Sequence, residues 1–384
     1  MWYDIYSITR SDLFVKKGRR VMQRNLEEVF SVQDIWHTLA ASDKHIVMYG
    51  MGNGADKIIA ACARFGIEVE DFFASDGFVR GQSFHGKRVM TFAEVCEKYG
   101  KDNMIVLISF ASALPDVMAQ VARVADVCET YIPEVPVRGD VLFTAEYARE
   151  QREELMRAHG LLADERSREV FFGVVMFRLT GKLEWLQATE DAREIVMQRV
   201  LHPTDYRAYC DVGAYDGDTV RELISLSPQL ERVWAIEPDR RNYRKLAAYA
   251  EGVCDIELTL CPCAAWDREE ILLFDDSGNR NAGYDPEARR RAEVQGRAVD
   301  TILVGAAVDY IKYDVEGSEA QALRGSVNTI RTYQPDLLVS LYHRTEDLHE
   351  LILQIHEISP DYRLYLRRYP YIPAWDLNLY ASVK

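Results

Sequence analysis

Asp211-Val212-Gly213-Ala214-Tyr215-Asp216-Gly217-Asp218-Thr219 set two glycines among acids and a hydroxyl. A strand pattern over 206–212 leads into this run, and a helix signal follows over 219–226. A second strand pattern, 232–236, ends in Glu237-Pro238-Asp239. A glycine turn followed by an acid at the next strand tip suits a ligand with an adenosine ribose and a charged tail. A dinucleotide and S-adenosylmethionine both meet that description.

A second glycine turn lies upstream. The apolar run 45–49 feeds Gly50-Met51-Gly52-Asn53-Gly54, and a helix pattern opens at Lys57. The strand pattern 68–73 then ends at Ala74-Ser75-Asp76, which places Asp76 where a ribose-binding acid would stand. Glycines let a phosphate approach the backbone, and a helix N-terminus supplies free amides. The alternative is a turn that binds nothing and serves packing or dimerisation.

The elements that must position these residues are α/β. Amphipathic spacing predicts a helix over 20–41. A strand at 105–109 and a helix at 92–99 complete a Rossmann-like N-terminal domain, 1–135. Three helices, 141–159, 164–179 and 182–199, make a helical connector over 136–200. Its stripe of Phe171, Phe172, Val175, Met176 and Leu179 reads as core. The last domain, 201–384, alternates strands at 206–212, 232–236, 255–261, 308–313 and 336–342 with helices at 219–226, 240–249, 318–329 and 346–358. Strands at 363–367 and 377–380 close it. Five parallel units followed by a hairpin match the order of a class I methyltransferase rather than a dehydrogenase.

From about residue 165 to 382 the chain resembles the FkbM family of S-adenosylmethionine-dependent methyltransferases. The resemblance rests on YCDVGAYDGDTV, VWAIEPDRRNYRKL, CPCAAWD, VDYIKYDVEGSEAQALRG, LLVSLYHRTEDL and the closing NLYA. It implies, for the second of two Rossmann-like domains, a class I fold with a seven-stranded mixed sheet. The segments YGMGNGADKI, VEDFFASD, GKRVMTFAEV and IVLIS resemble nucleotide-sugar or NAD-type binding modules. That likeness implies a nucleotide or nucleotide-sugar at Gly50, Gly52, Gly54 and Asp76.

Against the FkbM pattern each residue of the second turn has a task. Asp211 organises the turn or accepts from the methionine amino group, while Gly213, Ala214 and Gly217 permit close approach. Thr219 opens the helix whose N-terminus faces the cofactor tail. Glu237 and Pro238 meet the ribose; Ala265 and Trp266 line the adenine pocket, with Asp267 accepting from its amine. Asp314 stands between cofactor and acceptor. His343, just after the fifth strand, is the first candidate for general base, and Glu316 the second. Glu316 and Glu319 equally suit the N-terminus of a helix.

Composition excludes several classes. Net charge is 46 − 61 = −15, which argues against nonspecific nucleic-acid binding. The run Arg289-Arg290-Arg291 with Arg297 reads as a solvated face rather than a phosphate clamp. Seven scattered cysteines imply reduced thiols, and Cys261-Pro262-Cys263 lacks partners for zinc. Asp275, Asp276, Asp309, Asp314 and His343 show no ligand spacing, so no metal is expected. The apolar stretch 171–179 is too short to span a bilayer, and a cytoplasmic protein is expected. The polar stretch 275–295 suits an acceptor-binding loop or a surface loop.

The expected function is therefore methylation of a hydroxyl on a sugar, nucleotide-sugar or glycan-type acceptor, in glycan biosynthesis, with homo-oligomers compatible. An NAD-linked or bifunctional sugar-modifying oxidoreductase is the alternative, although no Tyr-x-x-x-Lys pair follows the third strand. A noncatalytic nucleotide-binding scaffold is the other; retention of Asp211 and Glu237 speaks against it.

Overall fold

The structure, a computed structural model, describes residues 25–275 and 291–384. The pattern over 20–41 resolves into a 3₁₀ helix, Leu26–Ser31, and an α-helix, Ile35–Ala40; residues 20–24 lie outside the described residues. The break falls at Asp34, whose carboxylate accepts from the His37 amide at 2.9 Å and the Ala145 amide at 2.8 Å. A side chain that caps one helix and ties down a second segment cannot continue the first helix.

Strands β1 (His45–Tyr49), β2 (Asp71–Phe73), β5 (Met104–Ile108) and β6 (Glu129–Tyr131) form a parallel sheet ordered β2-β1-β5-β6. A short hairpin of β3 (Ser83–Phe84) and β4 (Lys87–Arg88) intervenes between β2 and β5. Counting only the parallel strands, the order is 2-1-3-4. This corrects the Rossmann-like expectation, because the Rossmann order begins 3-2-1-4 and the observed order is flavodoxin-like. The cause is β5: all five of its residues are buried, and it pairs with β1 on the side away from β2.

The expected connector helices at 141–159 and 182–199 are each divided, into Ala145–Glu150 with Arg152–Leu161 and Leu183–Ala188 with Arg193–Arg199. The helix Glu165–Thr180 is continuous and ends at Gly181 in the left-handed conformation. Beyond its first turns it is largely buried, with Phe171, Val174, Val175, Phe177 and Leu179 all inaccessible. Those residues belong to one continuous apolar core that also holds Val47 and Val106 of the first sheet and Val212 and Val339 of the second.

The second sheet contains β7 (Ala208–Val212), β8 (Arg232–Ile236), β9 (Glu257–Cys261), β13 (Tyr310–Tyr313), β14 (Asp336–Ser340), β15 (Arg363–Arg368) and β16 (Leu377–Ser382). Its order is β15-β16-β14-β13-β7-β8-β9, and β16 runs antiparallel to both neighbours. This is the seven-stranded mixed sheet anticipated from the strand pattern. The helix expected at 318–329 is two helices, Glu319–Arg324 and Val327–Tyr333. Between them, a Cβ on Gly325 would lie 1.9 Å from the Trp266 carbonyl oxygen.

A further, three-stranded sheet was not anticipated. It joins β10 (Ala264–Trp266), β11 (Glu270–Asp275) and β12 (Arg291–Ala298). The ends of the stretch read as a polar loop are thus strands; residues 276–290, with Gly278, Asn279, Arg280, Asn281 and Gly283, lie outside the described residues. The buried face of β11 is carried by only Leu272 and Phe274, too few to announce a strand.

Candidate active site

The strand order of the second sheet reverses between β7 and β13. Open parallel sheets bind ligands beyond the carboxyl ends of strands at such a point. A cavity of about 290 Å³ opens there, lined by Gly213, Tyr215, Thr219, Glu237, Pro238, Ala265, Phe274, Lys312, Asp314, Glu316 and Tyr342 among others.

Gly213 is forced by geometry. Its φ is +96°, and a Cβ would lie 1.9 Å from the Asp314 carbonyl oxygen. The turn after β7 therefore passes directly beneath the end of β13. Ala214 is fully buried below the turn, and Gly217 takes a left-handed conformation ahead of the helix Asp218–Leu226. Neither of these two is among the cavity-lining residues.

Asp211 is also fully buried and does not line the cavity. It accepts from the Thr219 hydroxyl and from Lys312 Nζ, the latter at 3.3 Å. Of its two anticipated tasks, the geometry supports organising the turn. Burial pushes its carboxyl upward, and Lys312 and Thr219 oppose that shift. Lys312 was missed by sequence reading, since a lysine inside an apolar strand gives no motif. Its Nζ donates to the Gly213 carbonyl at 3.0 Å and lies 3.7 Å from Asp314 Oδ2. One buried cation thus joins the acids that end β7 and β13.

Glu237 stands at the tip of β8 on the cavity wall. Its carboxylate accepts from the Tyr215 and Asp239 amides, each at 2.8 Å. Burial raises its pKa to about 7, against these two amide donors. Ala265 lines the cavity as anticipated, but Trp266 does not. Trp266 instead packs with Leu272 and Phe274, and its indole N–H donates to Glu270. Phe274, from the unanticipated sheet, is the aromatic side chain at that wall. Asp267 pairs with Arg268 at 3.3 Å and with Arg324 at 3.6 Å, away from the lining.

Beyond Asp314 the cavity becomes acidic. Tyr342 donates its hydroxyl to Asp314 Oδ1 at 3.1 Å. Burial opposes ionisation of Asp314, but Lys312 and His343 outweigh it and hold the carboxyl below its usual range. Glu316 has a φ of +54°, rare for a residue with a side chain. Burial lifts its pKa to about 7 although His343 is near.

His343 is corrected as the candidate base. It is 0% exposed and is not among the cavity-lining residues. Burial favours the neutral ring, yet Glu319, Glu316 and Asp314 together raise its pKa to about 10. These carboxylates favour the protonated ring, which has no lone pair to offer. Glu316, which does line the cavity, is better placed.

The first glycine turn has a packing explanation. A Cβ on Gly50 would lie 2.6 Å from Ser109 Oγ, and one on Gly54 would lie 2.2 Å from the Ser109 carbonyl oxygen. The end of β5 therefore requires both glycines. Gly52 has a φ of +100° and open space around it. Asp76 begins a short 3₁₀ helix, Asp76–Phe78, beside the Tyr49–Ser75 hydroxyl contact of 2.5 Å.

Comparison with known proteins bears on the second sheet most directly. Residues 211–372 match the model of the methyltransferase FkbM domain. No curated protein sequence matches the chain. The crystal structure of methyltransferase FkbM from Methylobacillus flagellatus is similar at a TM-score of 0.65 and 23% identity, over 94% of each chain. That likeness concerns the fold and extends over both large sheets. Aeropyrum pernix fibrillarin with natively bound S-adenosyl-L-methionine matches at a TM-score of 0.33 and 13% identity, over 49% of this chain and 71% of its own. A precorrin-6y C5,15-methyltransferase from Geobacter metallireducens matches at 0.33 and 9%, over 50% and 87%.

Proposed function

We propose that this chain, whose residues 211–372 match the model of the methyltransferase FkbM domain, methylates a hydroxyl of a sugar, nucleotide-sugar or glycan-type acceptor with S-adenosylmethionine. The observation that carries the cofactor is Glu237. Its carboxylate borders the cavity one strand from the Gly213 turn, and its direct partners are backbone amides, so lone pairs remain for a ribose diol. Gly213 and the N-terminus of the helix Asp218–Leu226 fit the methionine tail, and Ala265 with Phe274 fit an adenine.

When bound, the cofactor supplies a sulfonium methyl, which passes to the acceptor oxygen as the carbon–sulfur bond breaks. The chain's own work is alignment and proton removal. Glu316 takes the hydroxyl proton, on the ground that it is the acid on the cavity wall beyond Asp314. Asp314 and Tyr342, already joined to one another, orient the acceptor. A wall rich in acceptors favours a hydroxyl-bearing molecule. The nucleotide-sugar class is supported by the likeness of the N-terminal segments to such modules. Because Gly50 and Gly54 are explained by packing, this reading needs no nucleotide there.

Calorimetry with S-adenosylmethionine on the native chain and on Glu237→Ala tests the cofactor. Absent binding refutes the cofactor, and binding unchanged in the variant refutes the role of Glu237. Mass spectrometry with isotopically labelled cofactor and a panel of nucleotide-sugars and glycans then tests the acceptor.

A further inference from the structure

His343 is fully buried, and neither of its ring nitrogens has an aligned hydrogen-bond partner among the described residues. Nδ1 lies 2.8 Å from Glu319 Oε1, close enough to attract but off the line of a hydrogen bond. Nε2 lies 3.6 Å from Asp314 Oδ1 and 3.6 Å from Glu316 Oε2. These two separations are too long for hydrogen bonds. The second oxygen of Glu319 is also buried and unpartnered. Three orphaned polar atoms at one point is costly unless something else satisfies them.

A cation would satisfy them. Asp314, Glu319 and His343 each offer one donor atom, and these atoms lie within 4.8 Å of one another. Donors on one octahedral ion, at roughly 2.0–2.2 Å from it, are separated by about 3–4.4 Å. A contraction of a few tenths of an ångström by the ion closes that difference. The supports a metal site needs are present. Tyr342 donates to Asp314 Oδ1 at 3.1 Å, and the Val315 amide donates to Glu319 Oε1 at 2.9 Å. Such bonds hold ligating carboxylates in place. Asp347 adds another buried carboxylate, its Oδ2 held by the Arg344 amide at 2.8 Å. Lys312 sits at the far oxygen of Asp314, leaving Oδ1 toward His343.

We propose that Asp314, Glu319 and His343 bind one divalent cation of the manganese type, buried behind the Asp314 wall of the cavity. Two carboxylate oxygens and one imidazole suit such an ion. This departs from the sequence-based expectation of no metal. The ion's task, fixing the Asp314 carboxylate at the cavity wall, rests on the methyltransferase reading; the site itself does not.

The test is Mn²⁺ binding to the full chain, followed by electron paramagnetic resonance without S-adenosylmethionine. One bound ion per chain is expected, with affinity reduced at least about tenfold in Asp314→Asn and in Glu319→Gln. Crystals of the unaltered protein soaked in Mn²⁺ make the result independent of variant folding. An anomalous peak between the three side chains supports the site. No bound ion at millimolar Mn²⁺, or a peak only elsewhere, overturns it. Calorimetry with S-adenosylmethionine on the same preparation separates the two readings. Cofactor binding without Mn²⁺ binding rejects the metal alone, and the reverse rejects the cofactor alone.

Discussion

Residue by residue, the cavity is governed by charge held out of water. Glu237 has its pKa raised to about 7 by burial, so protons compete with ribose hydroxyls for its oxygens near neutrality. The sign follows: lowering the pH through 7 protonates the group and weakens cofactor binding. S-adenosylmethionine affinity is expected to fall by up to about tenfold per pH unit below this point. Calorimetry across pH 5.5 to 8.5 checks this, and Glu237→Ala should bind weakly at every pH with that dependence removed. Lys312 makes a second case. Replacing it by methionine leaves the fully buried Asp211 without its cation and removes the donor to the Gly213 carbonyl. A loss of about 3–5 kcal/mol in unfolding free energy is expected by denaturant titration. A change below about 1 kcal/mol would mean that Asp211 is satisfied without Lys312. The sequence showed Asp211 because it ends a strand at a glycine turn, and Glu237 because it stands at the tip of the next strand. It hid Lys312, whose partner lies 101 positions away on a neighbouring strand.

Among elements, the two glycine turns look alike in sequence and differ in surroundings. Both are squeezed by the end of an adjacent strand, β13 against Gly213 and β5 against Gly54. The second-sheet turn has a cavity-lining acid, Glu237, at the tip of the next strand. Gly213→Ala places a methyl group against the Asp314 carbonyl at a φ that disfavours side chains. It is expected to abolish measurable S-adenosylmethionine binding as well as to lower stability. Gly54→Ala is expected to cost about 1–3 kcal/mol from overpacking while cofactor affinity in the folded protein is retained. Thermal melting combined with calorimetry separates these outcomes, and equal losses of affinity would contradict the packing account of Gly54. A further element, the segment that leaves the first sheet, shapes the loop after β14. The Arg138 amide donates to the His343 carbonyl at 2.8 Å, and Thr345 Oγ1 donates to the Val141 carbonyl at 2.5 Å. Arg178, buried in the central helix, donates to the Thr345 and Leu341 carbonyls and pairs with Glu134 at 3.0 Å.

For the molecule as a whole, these ties mean that the second sheet is completed by the first half of the chain. Ser112 and Ile372 exchange backbone hydrogen bonds at 2.9 and 3.0 Å, and the Ala163 amide donates to the Leu364 carbonyl at 2.8 Å. The apolar core continues from one sheet to the other through the helix Glu165–Thr180. A fragment of residues 201–384 would expose that face and lose the partners of Leu341, His343 and Thr345. It is expected to be insoluble or molten by near-ultraviolet circular dichroism and not to bind S-adenosylmethionine. A cooperative, cofactor-binding fragment would show that the second sheet is self-sufficient. No described helix is long and apolar enough to cross a membrane.

By itself the sequence determined what depends on local pattern. The Gly213 turn, the acid at the tip of β8 and the alternation that builds the seven-stranded sheet were all legible, because backbone conformation and strand burial are set within a few residues. What tertiary structure alone decided is which groups meet at the acceptor end. His343 follows β14, while Asp314, Glu316 and Glu319 follow β13, and parallel pairing of those two strands brings them together. The carboxylates of Glu319, Glu316 and Asp314 then favour the charged ring of His343, which burial alone would keep neutral. Spacing along the chain carries no record of that, since desolvation and charge act through space.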